Sequence, residues 1–443
     1  MSHPAAELDR VEKELLARWP ESRIEWKLER MQALMHALGD PQLAYQVVHL
    51  AGTNGKTSTA RMVDALLRAL DLRTGRYTSP HLESITERIS VDGEPLSPER
   101  FVEIYDEISS FFELVDAGSD VRLSFFEAMT GMAFAAFADV PVDVAVVEVG
   151  MGGRLDATNI VQAQVAVITP VDLDHMVHLG TTIAQIAAEK AGIIKPGQAV
   201  VVAAQHPDAI QVVLAKANEV GANVVREGFD FGVIRRENAV GGQVLALRGL
   251  NGVYDEVFLP LYGGHQASNA ACALAAVEAL AGGDAALDAD LVRMAFASVR
   301  SPGRLEVMRT SPTILVDATH NPAGAKATVA ALGEAFAFRR LVGVIGTLAD
   351  KDVRAMLEIY EPFLAHVVVT ENSSARAMPA DDLAEIAEEI FGASRVDVVP
   401  RLDEAIEIAV ERADEDNDFG GAGVLVTGSV VTAGEARRML ARR

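Results

Sequence analysis

Residues 45–58 read Tyr-Gln-Val-Val-His-Leu-Ala-Gly-Thr-Asn-Gly-Lys-Thr-Ser, a short apolar run that passes directly into Gly-x-x-Gly-Lys-Thr. A segment of helix-forming composition, from Thr59 to Leu70, follows it. A strand, a glycine loop and a helix in this order form a phosphate cradle, because backbone N–H groups and the helix N-terminus point at the anion. The stretch therefore predicts a nucleotide-binding loop.

Within this loop, Gly52 and Gly55 allow the backbone to approach phosphate closely. Lys56 is positioned for the β- and γ-phosphates, and Thr57 for a magnesium ion. The eight-residue phosphate-loop pattern has glycine where this chain has Leu50, so a glycine turn that binds no phosphate is the alternative. We favour the nucleotide loop, because the strand, the Lys-Thr pair and the helix all occupy the expected positions.

Composition limits the class of protein. A chain of 443 residues is too long for one hydrophobic core, and half of its residues are apolar. The formal charge of −24 argues against nucleic acid or an anionic membrane as a partner, since both would be repelled. It does not exclude small anionic substrates, which a locally positive cleft can bind.

The only cysteine, Cys272, lies in an alanine-rich helical stretch and is expected in the core. A single cysteine permits no intrachain disulfide, which suits a reducing compartment. The sequence shows no charged-then-apolar leader and no apolar run of about 18 residues. We therefore expect a soluble, cytoplasmic protein.

Alternation of apolar strand-like runs with helical segments predicts an α/β fold with a parallel sheet covered on both faces. After a helical region at about Ala5–Leu38 and the phosphate loop, strands are expected at Leu72–Tyr77, Val142–Val149, Val165–Thr169 and Gln198–Ala203, and helices near Pro98–Phe112 and Phe125–Ala138. Phe231–Leu261 is expected to form a small antiparallel insert, with turns at Gly241-Gly242 and Asn251-Gly252.

Turn residues at Ser298–Arg304 predict a domain boundary, which gives an ATPase-like domain over 1–300 and a second domain over 301–443. The second domain is expected to be a smaller, doubly wound, Rossmann-like α/β domain. Its predicted strands are Thr313–Val316, Leu341–Ile345, His366–Val369, Arg395–Val399 and Gly423–Val426.

Two polar side chains follow predicted strands where α/β sheets bind ligands. Glu148 ends the most apolar strand and opens into the glycine loop Gly150–Gly153, so we expect it to coordinate magnesium. The alternative is a carboxylate that only anchors the glycine turn. His175 follows the next strand, and on position alone a structural and a functional role remain equally open.

Lys190 is flanked by alanines and isoleucines within Ala187–Ile194, which is not the setting of an ordinary surface lysine. Burial lowers the pKa of a lysine, and a neutral amine can react with carbon dioxide to give a carbamate, a carboxylate-like metal ligand. From the residues alone, a snorkelling or salt-bridged lysine is the simpler interpretation.

Seven short motifs follow one another along the sequence. They are Gly52–Thr57, Thr78–Leu82, Glu148–Asn159, Glu189–Ile194, His265–Asn269, Ser301–Arg304 and Asp317–Pro322. In this order they resemble the bacterial folylpolyglutamate synthase/dihydrofolate synthase family, a branch of the ATP-dependent Mur ligases. The resemblance covers nearly the whole chain and implies a phosphate-loop ATPase domain, a Rossmann-like C-terminal domain and an active site in the cleft between them.

The resemblance also implies a role for individual residues. Lys56, Glu148, His175 and Lys190 correspond to the catalytic group, with Lys190 carbamylated. Two magnesium sites are implied, one at Thr57, Ser79 and Glu148 and one at His175 and Lys190. ATP contacts correspond to Gly52, Thr53, Asn54, Gly55, Lys56, Thr57, Ser58, Asn269, Arg304 and Asp317. Substrate contacts correspond to Phe126, Leu155, Asp156 and Ala157 on the pterin side and to His320 and Ser429 on the glutamate side.

One departure from the family pattern is visible near the N-terminus. Many members read Asp-Leu-Gly before Leu-Glu-Arg, whereas this chain has Glu25-Trp26-Lys27 before Leu28-Glu29-Arg30. The pterin contacts of this segment therefore stay open.

The activity implied is ATP-dependent addition of L-glutamate to dihydropteroate and to reduced folates through an acyl phosphate, with release of ADP and phosphate. Folylpolyglutamate synthase activity alone is the alternative. The expected partners are these small molecules, with no nucleic acid and no membrane, and a monomer is expected.

Two other functions would also use a phosphate loop. A cell-wall amino-acid ligase of the same superfamily carries a nucleotide-sugar domain of roughly a hundred residues before the loop, and here the loop starts at Gly52. A nucleotide-dependent switch does not require His175 or Lys190. Both alternatives therefore fit the sequence less well than the folate ligase.

Overall fold

The computed structural model describes residues 4–19, 27–415 and 421–441. These residues separate into two compact units. The first contains the described residues up to Arg236, together with Val244–Leu259 and Ala267–Val299. The second contains Glu237–Gln243, Pro260–Gln266 and the described residues from Arg300 onward.

Strands of the described chain are numbered β1 to β17 in chain order. They are Gln46–Ala51, Thr74–Tyr77, Ile89–Val91, Glu94–Pro95, Val144–Glu148, Val165–Ile168, Ala199–Val202, Asn223–Arg226, Gly232–Ala239, Gly242–Arg248, Val253–Leu259, Glu306–Thr310, Thr313–Val316, Arg340–Ile345, His366–Val369, Val396–Val398 and Ala422–Thr427.

Helices are numbered α1 to α15 in the same way. They are Pro4–Leu16, Glu29–Ala37, Lys56–Ala69, Pro98–Ala117, Phe125–Asp139, Met176–Leu179, Ile183–Ala191, Pro207–Val220, Gly264–Ala281, Ala289–Ser298, Pro322–Ala335, Val353–Tyr360, Ala380–Phe391, Leu402–Asp414 and Val430–Ala441. In the described part of the chain, no helix is long and apolar enough to cross a membrane.

The first unit is built on an eight-stranded sheet in the order β4-β3-β2-β5-β1-β6-β7-β8. Strand β1 lies between β5 and β6 and runs parallel to both, with Val48 beside Val146 on one side and Val165 on the other. These strands are valine-rich and buried on both faces, as expected for a parallel sheet covered by helices. Because the three strands are parallel, their carboxyl ends bring three loops to one edge.

The core of this unit lies on both faces of the sheet. One cluster packs α1, α2, α4 and α5 against the strands, with Met31, Phe112 and Phe134 among its fully buried members. A second cluster packs α7 and α8 against β6 and β7. Cys272 in α9 is buried, which confirms its predicted place in the core.

The predicted antiparallel insert is confirmed as a three-stranded sheet in the order β11-β10-β9. Only two residues, Val240 and Gly241, connect β9 to β10. Neighbouring strands with so short a connection must run antiparallel. Gly241 takes a φ of 81°, which the tight turn requires.

The second unit contains a six-stranded sheet in the order β12-β13-β17-β14-β15-β16. Five of these strands are parallel, and all five were predicted, with ends that differ by at most one residue. Their core includes Leu315, Tyr360 and Leu383, which are fully buried. Helices α11 to α14 alternate with the strands, so the α/β class is confirmed.

At the edges of the two main sheets, antiparallel strands join the predicted parallel ones. Strand β3 pairs antiparallel with β2 and with β4, and β12 pairs antiparallel with β13. Strands β3, β4, β8 and β12 were not predicted, because they are short or half-exposed and lack a continuous apolar run. The Asp92-Gly93 turn between β3 and β4, with φ values of 50° and 88°, is the sequence signal that could have predicted this hairpin.

Candidate active site

The predicted phosphate loop connects the end of β1 at Ala51 to the start of α3 at Lys56. Gly55 has a φ of 85°, a conformation that favours glycine. A Cβ on Gly55 would lie 2.5 Å from Asn269 Oδ1, and one on Gly52 would lie 1.8 Å from Thr169 Oγ1. The structure thus brings the predicted Asn269 to this loop, and both glycines are required by the close packing around them.

The loop after β6 braces the phosphate loop. The Thr53 and Asn54 amides donate to Pro170 O at 2.9 and 3.3 Å, and Thr53 Oγ1 donates to Asp172 O at 3.0 Å. Lys56 Nζ donates to Gly52 O at 3.0 Å and to Thr53 O at 3.3 Å. These bonds hold the loop and its ammonium group in one arrangement, with Ser58 buried in the first turn of α3.

Thr57 and Glu148 are 91 residues apart in the sequence and in contact in the fold. Thr57 Oγ1 donates to the Glu148 carboxylate, at 3.0 Å from Oε1 and 2.9 Å from Oε2. Glu148 is 1% exposed at the end of β5. A hydroxyl and a carboxylate are hard oxygen donors of the kind that Mg²⁺ prefers, so this pair fits a magnesium ion.

Lys190 is buried near the same loop, at 5% exposure, and does not snorkel to solvent. Its Nζ donates to Gly52 O at 2.8 Å, and the described chain places no carboxylate within ion-pair distance of it. Burial, and then the nearby Lys56 ammonium, lower the pKa of Lys190 to about 7, against the opposing pull of Asp174 and Asp156. The simpler interpretation of Lys190 from the sequence, a snorkelling or salt-bridged lysine, was therefore wrong.

Two glycines allow α7 to carry Lys190 to this position. A Cβ on Gly153 would lie 2.7 Å from Glu189 O, and one on Gly192 would lie 2.4 Å from Arg154 Cβ. Arg154 N donates to Glu189 O at 2.8 Å, and the Arg154 guanidinium pairs with the Glu189 carboxylate at 2.9 Å. The glycine loop after β5 and the end of α7 therefore pack directly against each other.

His175 precedes α6 and has a φ of 50°, which is uncommon outside glycine. Strained backbone of this kind clusters at functional sites, which favours the functional interpretation. Its amide donates to Asp174 Oδ1 at 2.8 Å, and its Nε2 lies 3.9 Å from Asp174 Oδ2. Among the residues that the structure describes, no group of three or more His, Cys, Asp or Glu side chains is arranged to hold a metal.

The loop with Ser79 follows β2, next to β5. Ser79 is half-buried, and nearby His81 Nδ1 accepts a hydrogen bond from Arg88 Nε at 2.9 Å. Phe126, at the start of α5, is also half-buried, with its ring centroid 5.8 Å from that of Tyr77. These contacts hold the Ser79 loop and the Phe126 ring beside the carboxyl end of the sheet.

The predicted pterin segment follows the glycine loop and lies against Phe126. A Cβ on Gly150 would lie 2.5 Å from Phe126 Cζ, so the ring packs on the loop backbone. Leu155 is half-buried, and Asp156 and Ala157 are buried. Glu25 and Trp26, where the sequence departs from the family pattern, lie outside the described residues.

The carboxylate of Asp156 is bonded within this segment. It accepts from Met151 N at 2.9 Å, from Thr158 N at 3.0 Å and from Thr158 Oγ1 at 2.5 Å. Burial raises the pKa of Asp156, and these hydrogen bonds oppose the rise. Asp156 thus caps the short 3-10 helix Ala157–Ile160 and closes the glycine loop.

The second unit contains four predicted site residues. Asp317 is buried after β13 and accepts from Leu305 N at 2.9 Å and from Thr319 N at 3.0 Å, next to the half-buried Arg304. His320 Nδ1 lies 3.0 Å from Ala318 O.

Ser429 is completely buried after β17, where its hydroxyl lies 2.9 Å from Thr432 Oγ1. Its hydroxyl also accepts from Thr432 N at 3.0 Å and from Asn372 Nδ2 at 3.3 Å. A direct substrate contact through this hydroxyl would therefore require local rearrangement.

Sequence reasoning missed several contributors to the site. Thr169 packs on Gly52, Asp172 accepts from Thr53, and Asp174 contacts His175. Their common signal is position, since all three lie at or just beyond the carboxyl end of β6, next to β1. His49, inside β1, was also missed, although a histidine within an apolar strand is unusual.

Comparisons with known proteins identify the family of this chain. Residues 50–277 match the model of the Mur ligase middle domain, and residues 303–430 match the model of the Mur ligase glutamate ligase domain. The chain is 52% identical to the dihydrofolate synthase/folylpolyglutamate synthase of Mycobacterium tuberculosis, over 99% of this chain and 94% of that protein.

Solved structures are similar over the full chain. The Mycobacterium tuberculosis folylpolyglutamate synthase complexed with ADP and AMPPCP has a TM-score of 0.95 and 51% identity, with 100% of both chains covered. An Escherichia coli structure in complex with DHPP and ADP has a TM-score of 0.86 and 30% identity, again with 100% of both chains covered.

Proposed function

Since the chain belongs to the Mur ligase family, in its dihydrofolate synthase/folylpolyglutamate synthase branch, we propose that it joins L-glutamate to dihydropteroate and to reduced folates at the expense of ATP. The observation that carries this proposal is the meeting of a phosphate loop, the Thr57–Glu148 pair and the buried Lys190 at one sheet edge. The relatives' complexes with ADP, AMPPCP and DHPP support it.

The reaction must first activate a carboxylate, which is a poor electrophile. A loop that grips the terminal phosphates favours transfer of the γ-phosphoryl group to a carboxylate oxygen, which gives an acyl phosphate and ADP. The amine of glutamate then attacks the acyl carbon and loses a proton. The attack forms the C–N bond and gives a tetrahedral intermediate, from which the acyl C–O bond then breaks and phosphate leaves with that oxygen. The Lys56 ammonium stabilises the charge that develops on the transferred group.

The side chains at the sheet edge fit magnesium. Thr57, Ser79 and Glu148 would hold one ion, and His175 and Lys190 a second. When bound, Mg²⁺ neutralises negative charge on the phosphate oxygens. The chain's own contribution is to keep these donors beside the loop, through the bonds from Thr57 to Glu148 and from Lys190 to Gly52.

Lys190 is proposed to act as a carbamate. Its neutral amine adds to carbon dioxide, a bond forms between Nζ and the carbon, and one proton leaves the nitrogen. The product is an anion with two oxygen donors, which suits a hard cation better than an ammonium does. The lowered pKa, about 7, supports this reaction because much of the amine is neutral near physiological pH.

The other predicted contacts complete the proposal. Gly52–Ser58, Asn269, Arg304 and Asp317 would bind ATP. Phe126, Leu155, Asp156 and Ala157 would hold the pterin, while His320 and Ser429 would contribute on the glutamate side. We also propose that the enzyme acts in the cytoplasm as a monomer, which gel filtration of the purified protein can test.

The deciding experiment supplies purified protein with ATP, glutamate and either dihydropteroate or a reduced folate, and measures ADP. We expect ADP release only when both glutamate and a folate substrate are present. Lys56→Ala should lower both activities together, by about 10²–10³-fold or more. Lys216→Ala is the matched control, because Lys216 is a surface lysine paired with Glu219.

Two outcomes would change the assignment. ATP turnover that needs neither folate nor glutamate would point to a nucleotide-dependent switch. Elongation of reduced folates without any use of dihydropteroate would restrict the enzyme to folylpolyglutamate synthase activity.

A further inference from the structure

A buried histidine lies in the strand that leads to the phosphate loop. His49 is completely buried in β1, on the same strand face as Val47 and Ala51. Burial, and then the charge of Lys195, lower the pKa of His49 to about 3, so its ring is neutral at physiological pH. A polar ring in an apolar strand is costly unless it is hydrogen-bonded, so its presence needs a physical reason.

Only one nitrogen of the His49 ring has a hydrogen-bond partner. Its Nε2 lies 2.9 Å from Thr158 Oγ1, and its Nδ1 has no partner within the described chain. The Thr158 hydroxyl has one proton, which it donates to Asp156 Oδ1 at 2.5 Å. Thr158 must therefore accept from His49, which fixes the proton of the ring on Nε2.

The hydrogen bonds from His49 Nε2 to Thr158 Oγ1 and from Thr158 Oγ1 to Asp156 Oδ1 form a relay. At its end, the Asp156 carboxylate is held in one orientation by neighbouring residues of its own loop. Asp156 accepts Met151 N on Oδ2, and Thr158 N and Thr158 Oγ1 on Oδ1. A hydroxyl that accepts one hydrogen bond donates a stronger second one, because the bonds polarise each other. His49 therefore strengthens the contact that holds Asp156 Oδ1 in place.

A role in packing alone does not account for these contacts. An apolar side chain would fill the same space without leaving a ring nitrogen unpaired, and a buried polar atom without a hydrogen bond destabilises the fold. The histidine also connects two parts of the site, since β1 ends at the phosphate loop and Thr158 directly follows the predicted pterin segment Leu155–Ala157. The bridge therefore suggests a role in the site.

We propose that His49 is a positioning residue, which orients the Asp156 carboxylate through the Thr158 hydroxyl and thereby sets the affinity of the site for dihydropteroate. This inference rests on the proposed function, because it assigns Asp156 and its neighbours to the pterin side. It adds His49, three positions before Gly52, to the residues that determine substrate affinity, although His49 itself does not contact the substrate.

The test compares His49→Leu, His49→Gln and Thr158→Val with the unmodified protein. Loss of the relay in His49→Leu should raise the KM for dihydropteroate about tenfold, the effect of about 1.4 kcal/mol. The KM for ATP and kcat should stay within about twofold. Thr158→Val should give the same split, and the double variant should be no worse than either single one, because both changes break one relay.

Two further variants separate positioning from packing. Glutamine can present a donor at the place of the ring Nε2, so His49→Gln should restore the KM for dihydropteroate to within about threefold. Val48→Ala is the matched control, since Val48 is its fully buried neighbour on the opposite face of the strand. It should lower the thermal midpoint and leave the KM unchanged.

A spectroscopic readout is independent of turnover. Nitrogen NMR of histidine-labelled protein should show His49 as the neutral tautomer with the proton on Nε2, both at pH 7 and at pH 5. An imidazolium, or a proton on Nδ1, would overturn the relay even in a fully active enzyme. A wild-type protein that never consumes dihydropteroate would instead refute the proposed function, so the two failures are distinguishable.

The kinetic result that would overturn the proposal is equally specific. His49→Leu with a lowered thermal midpoint and an unchanged KM for dihydropteroate would make His49 a core residue only. If His49→Leu does not fold, Thr158→Val decides, because it keeps side-chain shape and removes only the hydroxyl. An unchanged KM in Thr158→Val would contradict the relay.

Discussion

Arg76 and Lys190 are both buried cations of the first unit, and their surroundings are opposite. Arg76, on β2, is 3% exposed and pairs with the buried Asp64 at 2.6 Å. Its guanidinium also donates to Ser90 Oγ at 2.9 Å, while Thr74 Oγ1 donates to Asp64 at 2.6 Å. The charge of Arg76 is thus neutralised by the fold itself, where α3 packs on β2.

Among the residues that the structure describes, Lys190 has no such neutralising partner. Its Nζ donates to the carbonyl of Gly52, and the nearby Lys56 ammonium opposes a second positive charge. A paired buried charge stabilises one arrangement of the chain, whereas a buried amine with a lowered pKa is available for chemistry. The difference fits a structural role for Arg76 and supports the functional role proposed for Lys190.

The largest expected effect is on activity. Lys190→Met should lower kcat by about 10²–10³-fold, because the carbamate that would hold a magnesium ion beside the reacting phosphates is lost. Added acetate should restore part of the activity, as a small carboxylate can replace the carbamate. The measurement is ADP release with saturating substrates. A wild-type kcat in Lys190→Met would show that Lys190 is a structural residue, as Arg76 is.

The second prediction concerns stability, which the Arg76 variant should lose and the Lys190 variant should keep. Arg76→Met should lower the free energy of unfolding by about 3–5 kcal/mol, because it leaves Asp64 buried without its main partner. Lys190→Met should not lower it, since no carboxylate loses an ion pair. Urea denaturation at pH 7 measures both. Equal losses in the two variants would show that both cations hold the fold together.

The third prediction concerns pH. Carbamate formation requires the neutral amine, so the modified fraction of Lys190 should fall as pH decreases from 8 to 6, through its pKa of about 7. Carbon NMR with labelled bicarbonate should show a protein-bound carbamate signal that weakens over this range. Lys190→Met should lack the signal at every pH. A signal that is absent in the wild type at pH 8 would contradict the carbamate.

The smallest expected effect is at Asp156, a buried carboxylate that, unlike Arg76, lies in the proposed site. Asp156→Ala should raise the KM for dihydropteroate several-fold more than the KM for a reduced folate, because the cap on Met151 N and Thr158 N is lost. Steady-state kinetics with the two substrates measure the ratio. Equal losses would mean that Asp156 only stabilises the loop.

The local features of both regions could be predicted from the sequence. The phosphate loop is contiguous, and its glycines, Lys56 and Thr57 are recognisable by spacing alone. The unusual setting of Lys190 was visible as a lysine among alanines and isoleucines. The resemblance to a family then assigned roles that periodicity could not.

Contacts between distant parts of the chain could not be predicted in the same way. The bond from Thr57 to Glu148 spans 91 residues, and that between His49 and Thr158 spans 109. Such contacts depend on which strands become neighbours, and the order β5-β1-β6 is not written in any local pattern. Arg76 and Asp64 are only 12 residues apart, but their pair was also missed because it depends on how α3 packs against β2.

The central claim is that the enzyme activates a carboxylate by transferring the terminal phosphoryl group of ATP to it. The most direct test places heavy oxygen in the reacting carboxylate of the folate substrate and follows it by mass spectrometry. We predict that the label appears in the released phosphate and that ADP is the nucleotide product. Release of AMP and pyrophosphate, with the label in AMP, would contradict the account, since it requires attack at the α-phosphate.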